Sequence, residues 1–148
     1  MTRGTPPFSP AVIVHGLPDS LAALRAAAGA PVTLLSARGA ALYAGCLWWR
    51  EVIRQAIETV PGAAVADILD CADAGGIALS AFRVGQRAIV LDRDAPGYAA
   101  VVAIAAELGA TVLPRAPPAL DLGKRGAARQ LRAWLHPAGE GDSGEGVG

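Results

Sequence analysis

The chain has 148 residues, enough for one domain that buries a core without disulfides or a structural metal. Thirteen basic residues balance thirteen acidic ones, so the chain lacks the overall basic field that would hold nucleic acid or an anionic membrane. The two cysteines, Cys46 and Cys71, have neither metal-ligand spacing nor the number that a disulfide framework needs. We therefore predict no metal site and no disulfide.

The chain also lacks the sequence features of a membrane or secreted protein. Its longest charge-free runs, such as 26–37 and 95–106, contain glycine and proline and fall short of the ~20 residues that span a bilayer. The first ten residues, MTRGTPPFSP, contain no apolar signal core. Abundant alanine and a single lysine, Lys124, are typical of a GC-rich bacterial genome. We expect a cytoplasmic bacterial protein.

Short apolar segments alternate with longer alanine-rich segments along the chain. The predicted strands, in order, are AVIVHG, PVTLLSA, VADILD, RAIVLD and ATVLP. The predicted helices are LAALRAAAG, residues 39–60, GGIALSAFRVG, PGYAAVVAIAAELG and KRGAARQLRAWL. Strands that are apolar throughout, with helices between them, indicate a parallel sheet covered on both faces.

This alternation predicts a single three-layer, doubly wound α/β domain over residues 10–136. Right-handed crossovers favour a five-stranded parallel sheet in the order 2-1-3-4-5, a flavodoxin-like architecture, followed by a C-terminal helix. A closed eight-fold barrel needs about 200 residues or more. The proline-rich connector PRAPPALDLG is expected to be extended. Residues 1–9 and the Gly-rich, acidic tail 137–148 are expected to be disordered.

Polar residues concentrate where the predicted strands end, which is where open α/β sheets bind ligands. The ligand-binding candidates are His15, Arg38, Asp70, Asp73, Asp92 and Arg93. The strand order 2-1-3-4-5 would place His15 opposite Asp70. Asp70 and Asp92 close neighbouring strands as ILD and VLD, so they should lie close enough to share a proton or bind a divalent metal. Because no third acid follows the first or fifth strand, we do not predict a metal cage.

Several residues at these strand ends also have a structural interpretation. Asp73 and Asp94 can serve as N-caps of the helices that follow them. Cys71 is a candidate nucleophile, but its flanking carboxylates oppose thiolate formation, and a small buried thiol is the commoner case. Gly75 and Gly76 open a helix whose amides can receive a phosphate, although no Gly-rich phosphate-binding motif is present.

Two features are candidates for protein contacts. Trp48 lies off the apolar stripe of the second helix, which contains Trp49, so an exposed Trp48 would mark a subunit interface. The last helix carries Arg129 and Arg132 beside Leu131, the pattern of a basic amphipathic helix that contacts nucleic acid or an acidic partner. Core packing and a docked terminal helix with a solvated face are the plain alternatives.

In architecture, the predicted fold resembles flavodoxin-like and receiver-like domains. Receiver domains have an acidic pair after strand one and a lysine after strand five, where this chain has His15 and Arg115. Phosphorelay chemistry therefore does not carry over. The segment ALSAFRVGQRAIVLD resembles one β-α unit of a phosphate-binding barrel. Neither resemblance identifies a family.

Two functions from different classes remain. The first is a small-ligand-binding α/β domain, with a phosphate- or nucleotide-type anion bound at the carboxyl edge of the sheet. The second is a non-catalytic, dimeric interaction or regulatory domain that uses Trp48 or the last helix. The clustered polar edge favours the first, and the lack of a substrate-covering domain favours the second. The sequence leaves open whether the chain is an enzyme and whether it needs a cofactor.

Overall fold

The computed structural model describes residues 8–137, so most of the predicted N-terminal arm and C-terminal tail lies outside the described residues. The elements, in chain order, are β1 Ala11–Val14, α1 Leu17–Ala27, β2 Val32–Ser36, α2 Ala40–Tyr43, α3 Cys46–Thr59, β3 Val65–Asp70, α4 Gly75–Arg83, β4 Ala88–Val90, α5 Tyr98–Leu108, β5 Thr111–Leu113, β6 Ala119–Asp121 and α6 Ala127–Leu135. The fold is α/β, with a parallel sheet flanked by helices. Over this range, no helix has the length and apolar character needed to cross a membrane.

The sheet has six strands in the order β5-β4-β3-β2-β1-β6, and every neighbouring pair is parallel. The predicted five strands in the order 2-1-3-4-5 are therefore wrong. The sixth strand lies inside the connector that was expected to be merely extended, and it pairs with β1 through Ala11 to Ala119 and Ile13 to Asp121. Three residues after a pair of prolines carry too little periodicity to indicate a strand in advance.

All helices of the described chain pack on one face of the sheet. From β2 to β5, each strand is added at the same edge of the sheet. Right-handed crossovers between such strands place every connecting helix on the same face. The large core cluster joins sheet residues such as Val12 and Leu69 to residues from every longer helix, including Trp49 and Phe82. A smaller cluster covers the other face and contains no helical residue. Its members and close neighbours are Leu35, Ile68, Ala88, Val90, Phe8, Ile13, Leu113 and Ala119. Over the described residues, the structure therefore has two layers, the sheet and one layer of helices, and the predicted three layers are wrong.

The sheet must curl toward the face that lacks helices. Strands β5 and β6 lie at opposite edges, yet only residues 114–118 join them. Six Cα–Cα steps reach at most about 22 Å. The outer strands of a flat six-stranded sheet are about 24 Å apart. Because β5 and β6 are parallel, the connection must in addition cover the distance from the end of one strand back to the start of the other. Curling makes the helix-free face concave and lets the short connection cross its open side.

The predicted long helix over 39–60 is interrupted at Gly45, where the backbone φ is 99°. A side chain would strain this left-handed backbone, so glycine ends α2 and starts α3 in a new direction. The break separates Leu42 from the apolar stripe of α3, and Leu42 is 50% exposed. Trp49 remains on the buried face, as its spacing predicts.

A buried polar network fastens α3 to the amino edge of the sheet. Asp67 Oδ2 accepts hydrogen bonds from Trp49 Nε1 at 2.9 Å, Arg50 at 3.1 Å and Gln86 Nε2 at 2.8 Å. Gln86, which is 1% exposed, also donates to the backbone carbonyl of Ala88. Most buried polar groups in folded proteins are paired in this way.

We expect Asp67→Ala to lower the free energy of unfolding by about 2–4 kcal/mol, because three donors lose their shared acceptor inside the protein. Urea denaturation followed by circular dichroism measures the change. The matched control is Asp94→Ala, which removes an exposed carboxylate and should change stability by less than about 0.5 kcal/mol. Equal effects of the two substitutions would show that the network does not stabilise the fold.

Candidate functional site

The side chains at the carboxyl ends of the strands form what we call the carboxyl rim, defined by His15, Arg38, Asp70, Asp92 and Asp121. Side chains alternate between the two faces along a strand. Asp70 therefore shares the concave face with Ile68, and Asp121 shares it with Ala119. The rim thus places charged groups from several strands at the mouth of the concave face.

Asp70 is a buried anchor for two loops, with 3% of its surface exposed. Its Oδ1 accepts hydrogen bonds from the backbone N–H of Gly39 at 3.1 Å and of Ala72 at 2.8 Å. Its own backbone N–H donates to Ser36 Oγ at 2.9 Å. Asp70 therefore joins the loops that follow β2 and β3, which fixes the floor of the rim.

Arg38 and Asp92 form a two-pronged ion pair across that floor. The two guanidinium nitrogens of Arg38 lie 2.9 and 3.3 Å from the two carboxylate oxygens of Asp92. This hydrogen bonding and the charge of Asp92 raise the pKa of the Arg38 guanidinium, and the charge of Asp70 raises that pKa further. The Arg38 side chain is nevertheless 67% exposed, so it can reach a ligand from solvent.

Backbone contacts bring three loops together around this pair. The backbone N–H of Asp92 donates to the carbonyl of Ala72 at 2.8 Å. A Cβ placed on Gly39 would lie 3.7 Å from the Ala72 methyl group, and one on Gly75 would lie 3.1 Å from the Pro96 carbonyl oxygen. The loops after β2, β3 and β4 therefore form one continuous surface.

Asp73 and Arg93 lie on this surface and are exposed. Asp73 does not cap α4, because the N-cap residue is Ala74 and no side chain bonds to the first turn. Asp94 does not cap α5 either, since the N-cap there is Gly97. The capping interpretation of both aspartates is therefore wrong. The first turn of α4, which begins at Gly75, therefore has no side-chain cap.

A second polar group of the rim joins β1 to β6. His15 Nε2 lies 2.7 Å from Asp121 Oδ1, so this ring nitrogen donates to the carboxylate. The backbone N–H of His15 donates to Asp19 at 2.9 Å, which fixes the turn into α1. Asp121 was missed in the sequence because it lies in the connector between predicted elements. The strand-like end ALD, matching ILD and VLD, was the available signal.

Position 123 requires glycine, because a side chain there would collide with His15 and Asp121. A Cβ at that position would lie 2.7 Å from His15 Nε2 and 3.2 Å from Asp121 Oδ1. Its backbone N–H donates to Asp121 Oδ1 at 2.8 Å. Burial raises the pKa of Asp121, but the hydrogen bonds from His15 and Gly123 outweigh burial and hold that pKa below its usual value.

The predicted juxtaposition of His15 with Asp70 depended on the order 2-1-3-4-5 and does not occur. Strand β2 lies between β1 and β3, which separates the strand axes by about 10 Å. Asp70 and Asp92 lie near each other, but Asp70 binds backbone amides and Asp92 binds Arg38. Within residues 8–137, no group of three or more His, Cys, Asp or Glu side chains is placed to hold a metal ion.

Cys71 points away from the rim. It belongs to the large core cluster on the helix side of the sheet and is fully buried. Burial, then nearby Cys46 and Asp70, raise the pKa of the Cys71 thiol to about 12. A thiol in this state has almost no thiolate at neutral pH.

The predicted interface residues occupy different environments. Trp48 is half-buried against the core and its ring centroid lies 6.0 Å from that of Trp49. Arg129 and Arg132 are exposed on α6. Close to Trp48 in sequence, Tyr43 and Leu47 are large apolar side chains with 71% and 69% exposure.

Comparison with known proteins does not assign the chain to a family. No protein-family model matches the sequence, and no curated protein is significantly similar to it. Function must therefore be inferred from the geometry of the rim itself.

We expect Cys71 to resist alkylation because its thiol is buried and protonated. In a Cys46→Ala background, iodoacetamide should label the native protein far more slowly than a free model thiol, with mass spectrometry as the measurement. The same protein unfolded in urea is the control and should label at the rate of the model thiol. Equal rates in the native state would contradict the buried position.

We expect the pKa of Asp121 to lie below its ordinary value of 3.8. In the His15→Gln variant the pKa of Asp121 should be higher, because less then opposes the effect of burial. Carboxyl carbon shifts followed by NMR against pH measure both values. Because the folded pKa is lowered, the stability contributed by Asp121 is present above pH 3.8 and is lost as the pH falls through the folded value. An unchanged midpoint in His15→Gln would show that the pair does not set this pKa.

Proposed function

We propose that the protein is a small-ligand-binding α/β domain whose site is the part of the carboxyl rim formed by the loops after β2, β3 and β4. The observation that carries the proposal is the Arg38–Asp92 pair, an exposed pair held over a floor that buried Asp70 fixes through its hydrogen bonds. Exposed ion pairs contribute little to folding stability. The rim nevertheless holds this one in two-pronged geometry, at the sheet edge where α/β proteins bind ligands.

A small anion, of phosphate or nucleotide type, is the ligand class that this part of the rim suits. The guanidinium of Arg38 can bind two oxygens of a phosphate as it binds the two oxygens of Asp92. The N-terminus of α4, at Gly75 and Gly76, has no side-chain cap and favours negative charge. Arg93 adds a second exposed guanidinium on the adjoining loop.

Asp92 then acts as a competitor of the ligand. In the unliganded protein it neutralises Arg38, and an anion must displace it before the guanidinium is available. Asp70 and Asp73 lie nearby and disfavour multiply charged anions unless a cation accompanies them. This arrangement predicts weak binding that strengthens when Asp92 loses its charge.

We expect Asp92→Asn to strengthen phosphate binding by roughly three- to tenfold, and Arg38→Gln to abolish it, because a surface pair of this type has a modest coupling energy. The measurement is the rise in melting temperature with inorganic phosphate, a nucleotide and a sugar phosphate, since a ligand of the native state stabilises it by mass action. The matched control is Arg83→Gln, which removes an exposed arginine at the end of α4 and should leave the response unchanged. A screen in which neither the natural protein nor Asp92→Asn responds would refute the proposal.

The second candidate function is a dimeric interaction domain, and the surface of α5 favours it. This helix ends the row of helices, contacts only α4 and β5 closely, and exposes Val102, Ile104 and Leu108. Glu107 is its single charged residue. Light scattering on the same samples distinguishes the two functions, because a dimer that Ile104→Asp dissociates, without any anion response, would favour interaction over ligand binding.

A further inference from the structure

A large apolar groove lies apart from the carboxyl rim. Its volume is about 890 Å³, at the upper end of the range that small-molecule sites occupy. It runs between the residues before and at the start of β1, the connection from β5 to β6, and the outer end of α6. None of the rim residues lines it. The groove is thus a second concave surface, created where the short connection crosses the open side of the curled sheet.

The walls of this groove are apolar and stiff. Five of the lining residues are prolines, namely Pro10, Pro114, Pro117, Pro118 and Pro137. Proline lacks a backbone N–H and has a fixed φ, so these walls offer few hydrogen-bond donors and have little freedom to lose when a ligand binds. Phe8 and Trp134 add aromatic surface.

The polar group of Trp134 is already satisfied within the protein. Its indole Nε1–H donates to the backbone carbonyl of Ala11 at 2.7 Å, which holds the ring against the start of β1. The ring therefore contributes apolar surface rather than a donor. This bond fixes the position of the aromatic wall of the groove.

Arg115 is the one charged residue among those that line the groove within residues 8–137. It lies between Pro114 and Ala116 on the connection and is exposed. A single guanidinium at the edge of an apolar surface complements a molecule with an apolar body and one anionic end. A neutral apolar molecule would leave this charge unused, and a polyanion would have no second cation to bind.

We propose that the groove binds a small hydrophobic monocarboxylate, with its apolar body against Phe8, Trp134 and the proline walls and its carboxylate on Arg115. The body can be a medium-length aliphatic chain or an aromatic ring, because the walls select for apolar surface and flatness. This site is independent of the function proposed for the carboxyl rim. Loss of either one leaves the other intact.

The test uses decanoate as the probe and 1-decanol as its uncharged match, titrated into the full chain and followed by NMR at the Trp134 indole N–H. We expect saturable shifts with decanoate. Arg115→Gln should weaken decanoate binding by about three- to tenfold and leave decanol binding unchanged, because only the charged end contacts the guanidinium. Arg87→Gln, an exposed arginine outside the groove, is the matched control and should bind both probes like the natural protein.

A second pair of variants tests the location. Ala133→Phe places a large side chain on the α6 wall of the groove and should abolish binding of both probes, whereas Ala128→Phe on an exposed position of α6 outside the groove should not. Three results would overturn the proposal. The first is the absence of saturable shifts with decanoate, and the second is equal weakening of decanoate and decanol binding by Arg115→Gln. The third is self-association that closes the groove, detected by light scattering and not reversed by decanoate.

Discussion

The structure depends on one constraint, which is that five consecutive parallel strands lie side by side in chain order and a sixth must return beside the first. The strands advance in one direction, so their crossovers place the helices of the described chain on one face. The return from β5 to β6 uses only residues 114–118, so the sheet has to curl. The concave face, the carboxyl rim at its mouth and the apolar groove at its open side all follow from this geometry.

The two ends of the sheet differ in what their polar residues do. At the amino edge, Asp67 accepts three hydrogen bonds from groups that are buried or half-buried, so the network serves stability. At the carboxyl rim, Asp70 is buried and hydrogen-bonded, whereas the side chains of Arg38 and His15 are substantially exposed. A rigid floor with exposed charged groups is the arrangement that a binding site needs, because the ligand then meets groups that are already positioned.

The rim also consists of two pairs on neighbouring parts of the sheet. Arg38 with Asp92 covers β2 to β4, and His15 with Asp121 covers β1 and β6. The basic side chain of each pair is bonded to one carboxylate. Any anion bound at the rim must therefore compete with a protein carboxylate. This makes the Asp92 side chain, rather than the arginine alone, a determinant of affinity.

The sequence by itself determined the α/β class, the first five strands and the location of most polar groups at the carboxyl ends, because apolar runs and glycine-ended helices are local signals. It also favoured a buried, unreactive Cys71, although burial, more than a flanking carboxylate, raises the pKa of that thiol. Only the tertiary structure decided the strand order, since two sheets with different orders can share the same local pattern. The partnership of His15 with Asp121 spans 106 residues along the chain. It exists because β6 pairs with β1, and neither residue's neighbours in sequence carry information about that pairing.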